Sequence, residues 1–507
     1  MTTATERFPR GPASPAALLL VLWAASPIAA RGPVLIHDAL VIDGTGAPAR
    51  RASVRLAGDR VEAVGALAAR EGETVVEAEG LALAPGFIDT HSHHDEDGDP
   101  AQLAVVTQGI TTIVVGQDGD SHLPLAAFFD DLESAPWAVN VASYSGHGSL
   151  RERVLGDDFR RPAAEDEVAA MARLLEADLE AGSLGLSTGL EYDPGIYSAP
   201  GEIVALARVA GAAGGRYISH VRSEDRAFEA AVEELLTVGG EAGLPVQISH
   251  LKLARRGLWG TAPSLLERLD AARAAGVEVS ADLYPYEQWQ STLTVLFPER
   301  DFADRDEAAY ALTEVTRPQD VLLTRFEAHP EWEGRTLAEV AEERGTDAVT
   351  ALIDLIAMAR EAGAEEEIVA RSMQESDIAA LLAWPETNLC TDGSAGSGHP
   401  RGWGAFPRVF RRFVRELGVL SLEEAVARMT SVAARHVGLE GRGTIEPGAV
   451  ADLVLFDPET IADRATFTEP TLPSVGVSRV WVAGVEVLAD GRPTGARPGR
   501  VLRRSGG

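Results

Sequence analysis

Between residues 33 and 84 the apolar positions come in short runs: Val34–Ile42, Ala52–Leu56, Val61–Val64 and Thr74–Glu77. Gly- and Asp-rich turns such as Asp43-Gly44-Thr45-Gly46 and Ala57-Gly58-Asp59 separate them. No helical period is present, so residues 32–84 predict a small β-domain. From residue 85 the pattern changes to apolar runs alternating with amphipathic segments. The predicted strands are Leu83–Ile88, Thr111–Val115, Ala138–Ala142, Gly185–Ser187, Arg216–Ser219, Val246–Ser249, Glu278–Ala281 and Thr387–Thr391. Helical segments fall between them at Glu165–Ala181, Ile203–Gly214, Ala227–Ala242 and Pro263–Ala275. Strand–helix units repeated over this length predict an α/β fold of the (β/α)8 (TIM) barrel type across 85–440. The gap between the last two strands, about 283–386, is too long for a connection and predicts an insertion at the barrel mouth, with a helix over Ala348–Ala362. After Ala434 short strands return, as in Val480-Trp481-Val482, so residues 441–507 are expected to complete a β-sandwich with the first segment.

Length agrees with one large and one small domain, since 507 residues exceed a single ordinary core. The formal charge, 45 − 77 = −32, excludes binding to a phosphate backbone and fits a well-hydrated protein. No internal stretch is long and apolar enough for a stable membrane anchor. Residues 1–31 stand apart: Arg7 and Arg10 precede an apolar run, Ala16–Ala25, and a small-residue segment, the layout of a cleavable export signal. That layout predicts a secreted or periplasmic protein, cytoplasmic if the segment is retained. Cys390, the only cysteine, cannot form an internal disulfide. Lys252 is the only lysine in a chain whose other basic residues are arginine. A retained ammonium points to a tight site, where a compact charge and a planar fork are not interchangeable.

Candidate chemistry collects where the predicted strands end, which in such a barrel is where active sites lie. The run Leu81–Ile88 ends in Asp89-Thr90-His91-Ser92-His93-His94-Asp95. Strand alternation would turn His91 and His93 to one face, making half of a metal site. A His-rich loop without function reads the same in isolation. The second strand ends in Gln117-Asp118-Gly119, the fifth in Ser219-His220-Val221-Arg222 and the sixth in Ser249-His250-Leu251-Lys252. The seventh ends in Asp282-Leu283-Tyr284 and the eighth in Thr391-Asp392-Gly393. Four histidines at strand ends, with carboxylates after other strands, are not explained by packing. His37, His329 and His436, and the loop residues His94, Asp95, Glu96 and Asp97, are read as structural.

This order of H-x-H, carboxylate, His, His and a last-strand Asp resembles the amidohydrolase superfamily, and within it the N-acyl-D-amino-acid deacylases (D-aminoacylases). The matching segments include Pro85–Asp95, Gly109–Gly119, Gly146–Arg151, Gly185–Tyr192, Ser219–Glu224, Ser249–Lys252, Asp282–Tyr286 and Thr391–Arg401. The resemblance implies a metal-dependent barrel holding one or two zinc ions and acting on a small N-acyl amino acid. It implies His220 and His250 as the strong zinc ligands, His91 and His93 as the weaker half of a binuclear site, and Asp392 as the catalytic acid–base. It further implies that Lys252 and Tyr284 hold the substrate α-carboxylate. Tyr192, His147, Arg222 and Arg401 are candidates for contact with the substrate or for support just behind it, each arginine being open also to a structural ion pair.

One position departs from the family. Where it usually carries Cys or Glu at the metal, this chain has Asp118, read either as a ligand in an all-N/O shell or as a turn residue. Two further readings stand beside the deacylase. One is an amidohydrolase for dipeptide-like or cyclic amides; Lys252 by itself is also open to a reading as a carboxylated lysine bridging two metals, as in dihydroorotase-like relatives. The other is a non-catalytic scaffold, which would be expected to lose ligands. The segment Trp289-Gln290-Ser291-Thr292-Leu293 and the insertion are expected to shape the side-chain pocket, and the absence of Arg in that segment favours an apolar substrate.

Overall fold

The computed structural model describes residues 32–504; the export-signal reading of 1–31 lies outside them. The terminal segments meet in one nine-stranded sheet. Its path runs Arg492–Pro493, Val485–Ala489, Val477–Val482, Leu453–Phe456, Ala82–Pro85, Val34–Val41, Arg50–Ala57 and Arg60–Gly65, with Thr74–Glu77 beside Val34–Val41. Alternation along the central strands explains why this sheet cannot drift from the barrel. Leu83, Leu453, Leu455 and Trp481 pack with Ile36, Val41 and Val54 in a core of the sheet's own. Their neighbours Ala82, Ala84, Val454, Phe456, Val480 and Val482 point the other way and join the barrel's core.

Eight parallel strands build the barrel: Phe87–Asp89, Ile110–Val115, Asn140–Ser143, Gly185–Gly189, Arg216–His220, Val246–Ile248, Val279–Leu283 and Thr387–Leu389. The first three form one ladder. The other five form a second, begun by the short strand Ser145–Gly146. Isolated bonds bridge the two seams. Leu184 N–H donates to the Ser143 carbonyl (2.9 Å), and Asp392 N–H donates to that of His91 (2.9 Å). The helices follow their sequence signals. Glu165–Ala181 begins with three acidic residues, which suit the positive end of its dipole, and stops at Gly182 in the left-handed region (φ 109°). Ala348–Ala362 is capped by the Asp347 carboxylate, which accepts from Thr350 N–H (3.0 Å), and ends at Gly363.

The long gap before the eighth strand contains a three-stranded antiparallel sheet, Gln288–Ser291, Glu366–Arg371 and Val321–Phe326. Ala348–Ala362 packs its buried Leu352, Leu355 and Ile356 inward beside it. Residues of this unit form part of the wall of the central cavity described below.

The apolar run read as a single strand from Leu83 to Ile88 is two strands serving two sheets. Ala82–Pro85 pairs with Leu453–Phe456 in the terminal sheet, and Phe87–Asp89 pairs with the second barrel strand. The change of sheet occurs at Gly86, where a Cβ would lie 2.2–2.7 Å from side-chain atoms of Thr111. Only glycine lets the two layers approach this closely. Gly86→Ala is therefore expected to destabilise the fold by about 1–3 kcal/mol through overpacking. A lowered denaturation midpoint in urea would show it, and an unchanged midpoint would refute the close-approach argument.

Candidate metal centre and active site

Three of the sequence-predicted site residues have left-handed backbones although none is glycine: Asp118 (φ 51°), His250 (φ 35°) and Asp392 (φ 47°). Each stands two or three residues past the end of a barrel strand. Such conformations cost of order 1 kcal/mol or more apiece and persist only where the surroundings enforce them. At His250 the restraint is its own N–H, donated to the buried Asp282 carboxylate (2.5 Å). At Asp392 it is the bond to His91, reinforced by Asp89, which accepts from both the N–H (2.9 Å) and the hydroxyl (2.6 Å) of Thr391.

These turns bring the donor atoms together. The Nε2 atoms of His91 and His93 lie 3.4 and 3.6 Å from Asp118 Oδ2, and both lie 3.5 Å from Asp392 Oδ1. His250 Nε2 is 3.5 Å from Asp118 Oδ1 and 3.0 Å from His220 Nδ1. Two overlapping groups could each hold a cation, His91–Asp118–His250–Asp392 and His220–Glu224–His250, with His250 common to both. Asp118 is thus placed among the donors, and Asp392 stands with them rather than apart. His91 and His93 converge although their strand ends at Asp89, so it is the loop, not the pleat, that aims them.

The electrostatics favour positive charge here. Burial opposes protonation of His91, but the carboxylates of Asp118 and Asp282 outweigh it and push its pKa up to about 10. His250 rises to about 9 against both burial and Lys252, because Asp392, Glu224 and Asp118 face it. Burial also opposes ionisation of Asp392. Arg401, His250 and His91 overcome that and hold its carboxyl well below the usual range. Both ring nitrogens of His91, and Asp118 Oδ1, are nonetheless buried without a hydrogen-bond partner. An unsatisfied buried polar atom costs about 1–3 kcal/mol, and a cation among these atoms would satisfy His91 Nε2 and Asp118 Oδ1 together, with His91 Nδ1 left facing Asp282 at 3.7 Å.

Beside the donors lie two buried cations near one tyrosine ring. Lys252 Nζ and the Arg401 guanidinium sit 5.8 and 4.8 Å from the Tyr284 ring centroid. Lys252 Nζ bonds both Glu224 oxygens (2.6 and 2.8 Å) and His250 Nδ1 (2.7 Å), while Arg401 donates to Asp392 Oδ2 (2.5 Å). The Tyr284 hydroxyl and Arg401 Nε remain buried without partners. All of these border a cavity of about 720 Å³, whose outer wall includes Trp289, Val295, Leu296, Val315 and Arg325 of the insertion.

The amidohydrolase family matches residues 74–284 and 334–488. An N-acyl-D-glutamate deacylase of Alcaligenes xylosoxydans xylosoxydans is 40% identical over 93% of this chain and 96% of its own. A D-aminoacylase of the same organism is 36% identical over 93% and 98%. The crystal structure of N-acyl-D-glutamate deacylase from Bordetella bronchiseptica, complexed with zinc and a phosphonate mimic of the tetrahedral intermediate, superposes with a TM-score of 0.83. It is 37% identical and covers 93% of this chain and 99% of that one. The chain belongs to the amidohydrolase family.

Not every sequence candidate of this amidohydrolase reaches the cavity. Tyr192 does, with its ring 4.3 Å from that of His220. His147 is fully buried against Glu202 (2.8 Å), which also receives Arg151, so it braces the wall rather than facing substrate space. Arg222 makes a two-pronged pair with Glu234 (2.8 Å each) and is likewise turned away. Both are held by carboxylates on helices, which no strand-end pattern reveals.

Three acids matter more than the sequence suggested. Glu191 and Glu224 contact His220 and Lys252, and Asp282 accepts from His250 N–H, Gln247 (2.7 Å) and the Cys390 thiol (3.2 Å). The strand-end reading already included Asp282, and Glu191, two residues past the fourth strand, was open to the same rule. Asp282→Ala leaves those donors unpaired and is expected to cost on the order of 3 kcal/mol. Thermal denaturation of the apoprotein tests this, and a melting temperature equal to wild type would rule the role out.

Proposed function

We propose that this amidohydrolase is a zinc-dependent hydrolase that cleaves the amide bond of N-acyl-D-amino acids, giving a carboxylate and the free D-amino acid. The observation that carries the reading is the meeting, in one cavity, of a cation-seeking donor group with the unpartnered donors of Tyr284 and Arg401. The donor set, imidazoles with carboxylates, suits zinc and would also accept other divalent metals. His91, His93, Asp118, His220 and His250 would hold one or two ions. Zinc there supplies Lewis acidity, polarising the amide carbonyl and acidifying water.

The protein's own groups do the rest. Asp392, kept ionised by Arg401, takes a proton from the attacking water at Oδ1 and delivers it to the departing amine nitrogen. Lys252, Tyr284 and Arg401 bind the substrate α-carboxylate, which fixes the amide over the donor group. Charge–charge attraction to Glu224 raises the Lys252 pKa despite burial, which supports an ammonium and disfavours a carboxylated lysine. The relative named for D-glutamate invites an acidic side chain, but the cavity supports a neutral one. Arg325, the cation bordering it from the insertion, already pairs with Glu327 (2.5 Å) and Glu365. Ala254, Trp289, Val295 and Leu296 offer an apolar wall.

A screen of N-acetyl-D- and L-amino acids for released amine tests this reading. Wild-type protein with zinc should turn over D-substrates with apolar side chains at least tenfold faster than N-acetyl-D-glutamate, and lose activity to a chelator. Lys252→Met should reduce turnover of these acids by a factor of a hundred or more. If Lys252→Met keeps wild-type activity, or if neutral cyclic amides are the better substrates, the reading is wrong.

Export is part of the proposal and rests on the signal-like segment 1–31. Among the described residues no helix is long and apolar enough to cross a membrane. N-terminal sequencing of protein secreted by an expressing bacterium should begin near residue 31, and an intact Met1 terminus on active cytoplasmic protein would refute export.

A further inference from the structure

We infer that Glu191 is a positioning residue for the metal centre: its carboxylate fixes the tautomer of His220, so that Nδ1 presents a lone pair to the cation. The inference rests on the proposed zinc site and concerns a residue that contributes no atom to either donor group. His220 Nε2 lies 2.9 Å from Glu191 Oε2, and the His220 side chain is almost fully buried. A carboxylate there can only accept, so Nε2 must carry the hydrogen. A neutral imidazole has one such hydrogen, which leaves Nδ1 bare. That bare nitrogen faces His250 Nε2 at 3.0 Å, where it accepts the Nε2–H of that ring and would instead meet a cation once the hydrogen is given up. Glu224 stands behind the other imidazole, with Oε1 3.0 Å from His250 Nδ1, a nitrogen it shares with Lys252 Nζ (2.7 Å). Each ring therefore has a carboxylate behind it and its second nitrogen aimed at the common space.

Glu191 is itself held in place. Arg300, from the insertion, donates to the Glu191 carbonyl (2.7 Å) and to the Asp193 carboxylate (2.9 Å). Glu191 Oε1 accepts from Glu224 N–H (3.4 Å). The Tyr192 ring covers the exposed side of His220. Through Arg300 the inserted unit is coupled to the metal half-site and not only to the cavity wall. An oriented outer carboxylate raises the basicity of the ligand it holds, and removing one lowers metal affinity about 10–100-fold.

The test measures zinc dissociation constants of metal-stripped wild type, Glu191→Gln and Glu191→Ala by competition with a chromogenic chelator, with the melting temperature of each apoprotein. Glu191→Ala should bind zinc about 10–100-fold more weakly, with an apoprotein melting temperature close to wild type. Glu191→Gln keeps a carbonyl to accept from Nε2–H and should recover part of the loss. Wild-type affinity in Glu191→Ala overturns the inference. So does a loss of affinity matched by an unfolded or strongly destabilised apoprotein in both variants, which would make Glu191 a structural brace. If wild type binds no zinc, the metal reading itself fails and the inference falls with it. Because the measurement needs no substrate, a failure of the deacylase reading alone leaves its outcome intact.

Discussion

Everything at the barrel mouth follows from confining mutually interacting imidazoles and carboxylates in a nearly dry volume. Asp392, Asp118, Glu224 and Glu191 face His91, His93, His220 and His250 across gaps of 2.9 to 3.6 Å. In a low-dielectric interior such groups are strongly coupled, and each must be paired or neutralised. The left-handed turns at Asp118, His250 and Asp392 are the conformational cost of the arrangement. The buried Asp282 and Asp89 offset it by gripping the backbone beside the turns. The site is thus two layers deep: donors above, and beneath them acids whose task is to keep the donors aimed.

The terminal sheet contributes to the same end from a distance. Its central strands present one set of side chains to their own core and the alternate set to the barrel, so separating the two would expose apolar surface on both. Asp452, next to one of these strands, extends the connection in polar form. It accepts from Asn140 of the third barrel strand (3.0 Å) and from Ala483 N–H (2.7 Å), and it pairs with Arg442. The first barrel strand follows directly from this sheet through Gly86, and it carries His91 and His93 just beyond its end. Packing at the chain's two ends therefore fixes where half of the metal donors begin.

Much of this was legible in the sequence because it depends on periodicity. Strand ends located His91, Asp118, His220, His250, Asp282 and Asp392, and helices such as Glu165–Ala181 and Ala348–Ala362 appear with the bounds their patterns predict. Alternation aimed His91, His93 and Lys252 correctly, but for a reason other than the one supplied: their strands stop at Asp89 and Ile248, and hydrogen-bonded loops do the aiming. What was not legible depends on contacts between residues far apart in the chain. His147 was a candidate because it lies in a segment that resembles the family, yet Glu202, fifty-five positions later, claims its ring. Arg222 follows His220 by two residues, as Lys252 follows His250, but Glu234 on the next helix draws it outward. The single-strand reading of Leu83–Ile88 failed because apolar content does not reveal which sheet a residue serves.

Lys252 shows how far a residue count can lead once geometry is added. Its ammonium meets three acceptors, both oxygens of Glu224 and His250 Nδ1, each within 2.8 Å of one nitrogen. A tetrahedral –NH3+ can address three such atoms from a single point, whereas a planar guanidinium spreads its donors over several ångströms and cannot. Arginine therefore could replace lysine elsewhere in this chain but not here. The same contacts join Lys252 to His250, which is common to both donor groups. An ammonium can only donate, so His250 Nδ1 accepts from Lys252 and the hydrogen of the neutral ring sits on Nε2, 3.0 Å from His220 Nδ1.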